Sequence, residues 1–461
     1  MKGVRRDTMF TRLLSDYGML LVLALLCVLF SLLTITEQTS TGRAGANRLF
    51  EQVSGEPPSE EKILIVAGSS EPEREFADSL HRLLESAGYR PGKLTGDPMR
   101  LRAAIAEELG GPPVGTVATT DVTRPVVENL KDIPAIANAR ILTPPRRRWP
   151  TFLLADNLRN VANQITVIAI IAIGMTMVII TAGIDLSVGS LIALSAVVVA
   201  WVAGALGGAE VPTPGILLAG LSALVVCGMT GAFSGFMITA FKIPPFIATL
   251  AMMQVAAGVA YIISQGKPIY HLPDRFVWLG RGTDPLLDVP IAVILMAFFY
   301  FVAWIVMERS VLGRHIYAVG GNTEAARLAG IRVNRVLLFV YTACGLLAGI
   351  GGIIMASQLK SGAPTYGLTY ELYVIAAVVV GGTSLSGGEG KIIGTLIGAF
   401  IIGVIQNGMN LTNIETYTQK VVLGIVILAA VLFDRLKQKG LSRRLRSSSP
   451  DTDNRFDATS S

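Results

Sequence analysis

From residue 158 to residue 433 the chain alternates runs of about twenty apolar residues with short charged blocks. A run of that length crosses a bilayer as a helix, because every backbone N–H and C=O is then satisfied within the segment. The length of 461 residues alone would allow about three soluble domains. Composition overrides it: 51% of the residues are hydrophobic, only 16% are charged, and the mean hydropathy is +0.56. The expected fold is therefore an all-α polytopic membrane protein with about ten transmembrane helices. They are placed at 17–36, 158–181, 186–206, 215–241, 246–264, 289–307, 336–358, 372–382, 392–411 and 419–433. The 48 glycines fit helices whose backbones approach closely in lipid.

Charge sets the orientation. Lys2, Arg5, Arg6 and Arg12 hold residues 1–16 in the cytoplasm. The first span, 17–36, is expected to stay uncleaved: its apolar core is long, no small-x-small site follows, and Leu26 before Cys27 does not suit a lipoprotein signal. Ten crossings then put Lys242, residues 308–335 and the tail 435–461, basic and then disordered, on the cytoplasmic side. Residues 37–148 fall outside. Arg146, Arg147 and Arg148 break the positive-inside rule, but the opposite parity would break it several times over. The formal net charge of +6 is accounted for by orientation, so no nucleic-acid partner is expected. Cys27, Cys227 and Cys344 lie in apolar runs and make no disulfide framework, while His81, His271 and His315 are scattered, so no metal site is expected.

Residues 37–148 differ in kind. Strand patterns at 63–67 and 114–119 alternate with helical patterns at 72–87, 99–109 and 124–130, the first helix ended by Gly88. This predicts a small extracytoplasmic α/β insertion with parallel strand pairing after the first helix. Gly68-Ser69-Ser70 between a strand and a helix start could hold an anion, although it lacks the spacing of a nucleotide-binding loop. Pro144, Pro145 and Pro150 mark the return to the membrane, and the membrane body spans 149–434.

Two features of that body carry function. The polar stretch 308–335 holds Arg309, Arg314, His315, Arg327, Arg332 and Arg335 against Glu308 and Glu324. Within it, Asn322 and Thr323 can cap a short helix, Glu324 sits in its first turn and Gly330 can end it. Such a helix is either a docking knob for a cytosolic partner or an ordinary basic loop produced by orientation. The second feature is a repeat: Gly183, Ser187 and Gly189 around Asp185, and Gly382, Ser386 and Gly388 around Ser384, share the pattern G-x-x-L-S-x-G. A 5+5-like internal repeat would face the pathway from both halves, and glycine-rich turns also coincide by chance. Asp185 is either the N-cap of a helix starting at Leu186 or a pathway carboxylate, and Glu371 poses the same choice. Leu385-Ser-Gly-Gly-Glu389 matches the signature of ATP-binding cassettes, yet Ile392 follows Lys391 where a phosphate loop needs Ser or Thr, so the match is coincidental. No nucleophile–base constellation points to an enzyme.

The segments Pro150-Thr-Phe with Asn157-Leu158, IAIGMTMVIITAGIDLSVGS, AVGGNTEAARLAGI and VVGGTSLSGGEGKIIGTLIGAFIIGVIQNGMNL resemble the permease subunits of bacterial monosaccharide ABC importers. These are of the ribose, xylose and galactose type, within the branched-chain amino acid/monosaccharide permease superfamily. The resemblance covers residues 150–433. It implies an inner-membrane subunit with cytoplasmic termini that moves a neutral, sugar-like solute as a homo- or heterodimer. Two cytosolic ATPase subunits would use the ATP, and an extracytoplasmic solute-binding protein would deliver the cargo. It also implies that Gly320, Gly321, Asn322, Glu324, Ala325, Ala326, Arg327 and Gly330 form the segment that couples to the ATPase, with Glu324-Ala-Ala and Gly330 matching its E-A-A-x-x-x-G core. This chain binds no cofactor in that picture. Residues 37–148 depart from the family pattern, where a short loop stands, so docking of a binding protein is expected to be altered. Trp201, Tyr261, Trp304 and Tyr341 are either sugar-stacking or interfacial aromatics. Other readings are a superfamily permease for amino acids or nucleosides, a stand-alone carrier using Asp185, and a receptor sensing through the α/β insertion.

Overall fold

The computed structural model describes residues 9–54, 62–107, 114–130, 133, 136–270 and 272–446. Lys2, Arg5 and Arg6, His271 and residues 447–461 lie outside the described residues. The chain divides into two units, Ile35–Thr151 and the chain on either side of it.

The chain enters through helix α1 (Met9–Leu33), apolar from Gly18 onward. The inserted unit follows: β1 (Ile35–Thr39), α2 (Gly42–Val53), β2 (Lys62–Ala67), α3 (Glu71–Ser86), β3 (Pro91–Thr95), α4 (Pro98–Glu107), β4 (Val114–Thr119), α5 (Arg124–Glu128), β5 (Arg140–Leu142) and β6 (Arg146–Pro150). Four of these strands form a parallel sheet in the order β3-β2-β4-β5, with Leu64 opposite both Gly92 and Val117. Side chains alternate across a strand, so Ile63 and Ile65 of β2 join Leu49, Phe76 and Leu80 on one face. Leu64 and Val66 join Leu101, Ile105 and Val127 on the other. Covering both faces is what makes β2 an unbroken apolar run. β1 and β6 pair antiparallel, Glu37 opposite Arg148, and close the unit at its two ends.

The Gly68-Ser69-Ser70 turn does not present a free anion site. The Gly68 N–H donates to Glu73 Oε2 at 2.9 Å, and the hydroxyls of Thr120 and Thr123 donate to the same oxygen at 2.8 and 2.7 Å. Glu73, itself buried, thus brings the protein's own carboxylate to the donors an anion would have used.

The remaining unit is helical: α6 (Ala155–Ile180), α7 (Val188–Ala205), α8 (Thr213–Ala240), α9 (Pro245–Ser264), α10 (Asp274–Arg281), α11 (Ile291–Trp304) with a π-helical turn (Ile305–Arg309), α12 (Val311–Gly321), α13 (Thr323–Leu328), α14 (Val333–Leu359), α15 (Tyr370–Val380), α16 (Ile392–Leu411) and α17 (Thr416–Arg446). Among the described residues seven helices are long and apolar enough to cross a membrane, and shorter apolar helices occupy Gly18–Leu33, Tyr370–Val380 and Thr416–Leu432. The backbone of α17 continues to Arg446, so the basic block of the tail extends the last helix.

α6, apolar all round, is enclosed along most of its length, as a helix without a polar face must be. α14 packs against α6, α7 and α8. Glycines allow the closest approach: a Cβ at Gly231 of α8 would lie 2.4 Å from the Tyr341 carbonyl, and one at Gly345 of α14 would lie 2.5 Å from the Cys227 carbonyl. Leu217, Leu221 and Met229 of α8, Ile262 of α9 and Phe298 and Phe301 of α11 remain exposed, an apolar exterior suited to lipid. Asn157 and Asn407 join α6 to α16 through reciprocal amide hydrogen bonds of 3.0 and 2.9 Å.

Residues 360–380 form a broken span. After α14 the chain is non-helical and folds back along α7: a Cβ on Gly362 would meet Ala196 and Ala200, and one on Gly367 would meet Gly189 and Ile192. Only then does the eleven-residue α15 begin, with Thr369 at φ +67° at the junction. Irregular backbone beside membrane helices is tolerated where protein covers it. Here α7 does so, leaving Gly362, Ala363 and Pro364 buried.

Candidate functional site

The short helix α13 is built as its local sequence dictates. Asn322 is its N-cap, the Oδ1 accepting from the Ala325 N–H at 2.9 Å. Glu324 lies in the first turn and pairs with Arg327 at 2.9 Å. Gly330, at φ +84°, closes the other end: its N–H reaches the Arg327 carbonyl while the Ile331 N–H reaches back to Ala326, a Schellman arrangement. Ala326 alone is buried within α13, and Leu328 stands 88% exposed.

The root of this helix is not exposed. A Cβ at Gly320, near the end of α12, would fall 1.7 Å from the Ile180 carbonyl oxygen and 2.7 Å from the Gly388 nitrogen. Those two atoms are hydrogen bonded to each other at 2.9 Å. Tyr317, one turn earlier, donates to the Gly390 carbonyl at 2.7 Å. The end of α12 is thus wedged where α6 finishes and the loop 381–391 passes. Gly321, by contrast, faces open space. Tyr317, Gly390 and Ile180 were not singled out by sequence, because nothing local in their residue types marks a junction of three segments.

The two G-x-x-L-S-x-G segments are the loops in question. In both, the third position accepts from the backbone N–H of the fifth: Ser187 N–H to Asp185 Oδ1 at 2.9 Å, and Ser386 N–H to Ser384 Oγ at 3.3 Å. Their edges differ. The left-handed residue that ends the preceding helix is Ala182 in the first loop and Gly382 in the second, so Gly183 and Gly382 are not equivalent. The following helix starts at once in the first loop, with Gly189 inside α7, whereas Gly388 sits in a left-handed turn well before α16. The shared geometry is the central turn.

Asp185 does not cap a helix at Leu186. The helix begins at Val188, and Asp185 instead closes the turn before it, accepting also from the Ser187 hydroxyl at 2.6 Å. Asp185 and Ser187 are fully buried, and Oδ2 of Asp185 has no hydrogen-bond partner. The Tyr341 hydroxyl, buried and unpartnered, occupies the space a Cβ on Gly183 would need, at 2.2 Å. Tyr341 is therefore neither an interfacial anchor nor an open stacking platform. Trp304 stacks on Phe301 with the Arg309 guanidinium over its ring, while Trp201 and Tyr261 are exposed. Gly189 lies where its Cβ would come 2.2 Å from the Glu371 carboxylate and 2.7 Å from the Gly367 carbonyl, which places Glu371 at the broken span. Ser384 is buried and Ser386 exposed. The structure thus brings Gly183 and Asp185 against α14, Gly189 against Glu371, and Gly388 against Gly320 and Gly321. The first Gly of the second loop, Gly382, lies apart, near Met19 of α1.

The fold and this site define a multi-pass helical membrane protein that carries a capped surface helix rooted among its interhelical loops. Residues 157–431 match the family model described as branched-chain amino acid transport system / permease component, and the chain belongs to that family. It is similar to the ribose import permease protein of Escherichia coli K12, at 46% identity over 293 residues, 63% of this chain and 88% of the relative. The ribose import permease protein of Bacillus subtilis is 44% identical over 288 residues, 62% of this chain and 87% of that one. The L-arabinose transport system permease protein of E. coli K12 is 39% identical over 290 residues, 63% of this chain and 86% of that one. No solved structure matches.

Proposed function

We propose that this chain is the membrane-spanning subunit of an ATP-binding-cassette importer that moves a neutral, sugar-like solute across the bacterial inner membrane. The observation that carries the proposal is α13. It is a capped, exposed helix whose root, Gly320, touches both α6 and the second repeat loop, in a chain similar to ribose and arabinose permeases. A cytosolic ATPase subunit seated on Glu324, Ala325 and Arg327 would bear on those loops through α12 without an intervening flexible linker. The ATP is used by that partner. The seven long helices and three shorter apolar ones support ten crossings with both termini in the cytoplasm. This parity puts the α/β unit outside, on the side from which a solute-binding protein would deliver the cargo, and a second permease copy or paralogue completes the dimer. Within the helical unit Asp185 is the only fully buried carboxylate among the described residues, which suits an uncharged cargo better than a charged one.

The test is purification of the chain in mild detergent, with Glu324→Arg as the paired variant, alongside ribose uptake by membrane vesicles. The proposal expects an ATPase subunit to co-purify with the wild type and to be lost, together with ATP-dependent uptake, in the variant. Uptake that persists without ATPase, collapses with an ionophore and is abolished by Asp185→Asn would overturn it in favour of a secondary carrier, a reading favoured by the unpartnered Oδ2 of that residue.

A further inference from the structure

A cavity of about 330 Å³ opens between α12 and the start of α14, bordered by Gly330 at the end of α13. Its walls are of two kinds. Leu312, Ile331 and Val336 are apolar, Arg332 and Arg335 bring positive charge, His315 adds a ring N–H, and no carboxylate lines it. Elsewhere on this stretch Arg327 is paired with Glu324 and the Arg309 guanidinium lies over the Trp304 ring. Among the described residues the side chains of His315, Arg332 and Arg335 enter no ion pair or hydrogen bond. Three donors in one apolar-floored cavity lack an anion.

The surroundings say which anion. Arg335 is followed one turn later on the same face of α14 by Phe339, 40% exposed. On the other side α12 starts with Val311, 55% exposed, after the exposed apolar face of α11. A basic cavity that runs into apolar surface at the end of membrane helices meets a molecule charged at one end and hydrocarbon at the other. Basic pockets between membrane helices bind anionic lipid headgroups for this reason.

We infer that this cavity holds the phosphate headgroup of an anionic phospholipid, with Arg332 and Arg335 as the phosphate ligands, His315 as a third donor and Phe339 and Val311 against the acyl chains. Bound there, the lipid fixes the chain segment between α13 and α14, so the anionic lipid content of the membrane would set how firmly α13 is held.

The experiment uses the full chain in detergent, titrated with dioleoyl phosphatidylglycerol or dioleoyl phosphatidylcholine, with adducts counted by native mass spectrometry. The wild type should prefer phosphatidylglycerol. Each arginine near an anionic lipid contributes about a factor of five, so Arg332→Gln with Arg335→Gln should reduce the preference roughly 25-fold. The pair Arg332→Lys with Arg335→Lys, which keeps the charge, should retain most of it and controls for folding. Equal binding of both lipids by the wild type, or an undiminished preference in the Gln pair, overturns the inference. Displacement of phosphatidylglycerol by millimolar inorganic phosphate makes the cavity a site for free phosphate and also overturns it. So does a Gln pair that loses ATPase co-purification with lipid binding unchanged, because the cations would then belong to the protein interface.

Discussion

Replacing Gly320 by alanine separates a helix that transmits force from one that only displays a surface. The added Cβ would fall 1.7 Å from the Ile180 oxygen and 2.7 Å from the Gly388 nitrogen. Both are backbone atoms, so no side chain can swing aside. Overpacking of this kind costs about 1–3 kcal/mol, and the upper end applies because relief requires α12 to move off α6. Breaking the hydrogen bond between Gly388 and Ile180 adds about 1 kcal/mol. The better helix propensity of alanine returns at most about 1 kcal/mol. The balance, about 3 kcal/mol, shifts the seated arrangement of α12 by roughly 100-fold. Gly321→Ala, one residue on, has nothing within 4 Å of the new methyl and serves as the control. ATP-dependent uptake in vesicles should fall at least about tenfold in Gly320→Ala and stay near wild type in Gly321→Ala. ATPase co-purification should persist in both. Equal uptake by the two variants would refute the claim that α12 is rigidly seated on the loops.

Three further outcomes are expected. Asn322→Ala removes the cap of α13 and should cost about 1 kcal/mol of local helix stability, read as faster amide exchange over 323–328 and weaker ATPase co-purification. The Asn157–Asn407 pair should show a coupling energy of about 1 kcal/mol in a thermal double-mutant cycle of the two alanine variants, and strictly additive losses would show that the amides do not act as a unit. In the inserted unit the Lys93 ammonium bonded to Asp78 holds that carboxyl below its ordinary range. A lowered folded-state value stabilises above the unfolded carboxyl range, and the contribution disappears as pH falls through the folded value. Amide protection of α3 should therefore weaken below about pH 4 in the wild type, with a shallower decline there in Lys93→Met.

Much of the helical body was legible because membrane spans announce themselves by length and apolarity, and α13 because its cap, first turn and terminating glycine are local signals. In the inserted unit the helices α3, α4 and α5 were legible from their periodicity, but the strands only where they carry apolar runs. β2 and β4 carry apolar runs, whereas Pro91-Gly-Lys-Leu-Thr of β3 and the Arg-rich β6 do not. Asp185 was visible as an ionisable residue beside an apolar run, yet its role as a turn acceptor depended on the helix starting at Val188, two residues later than its pattern suggested.

The repeat marks the boundary between the two kinds of information. Local sequence carried the class of protein, the runs that seek lipid, the capped helix and the pattern shared by the two loops, since each follows from residues within a few positions of one another. Tertiary structure decided which glycines matter. Gly183, Gly189 and Gly320 are constrained by Tyr341, Glu371 and Ile180, residues between 140 and 182 positions away along the chain. Close approach is a property of two backbones at once, and no local pattern of residues records its partner.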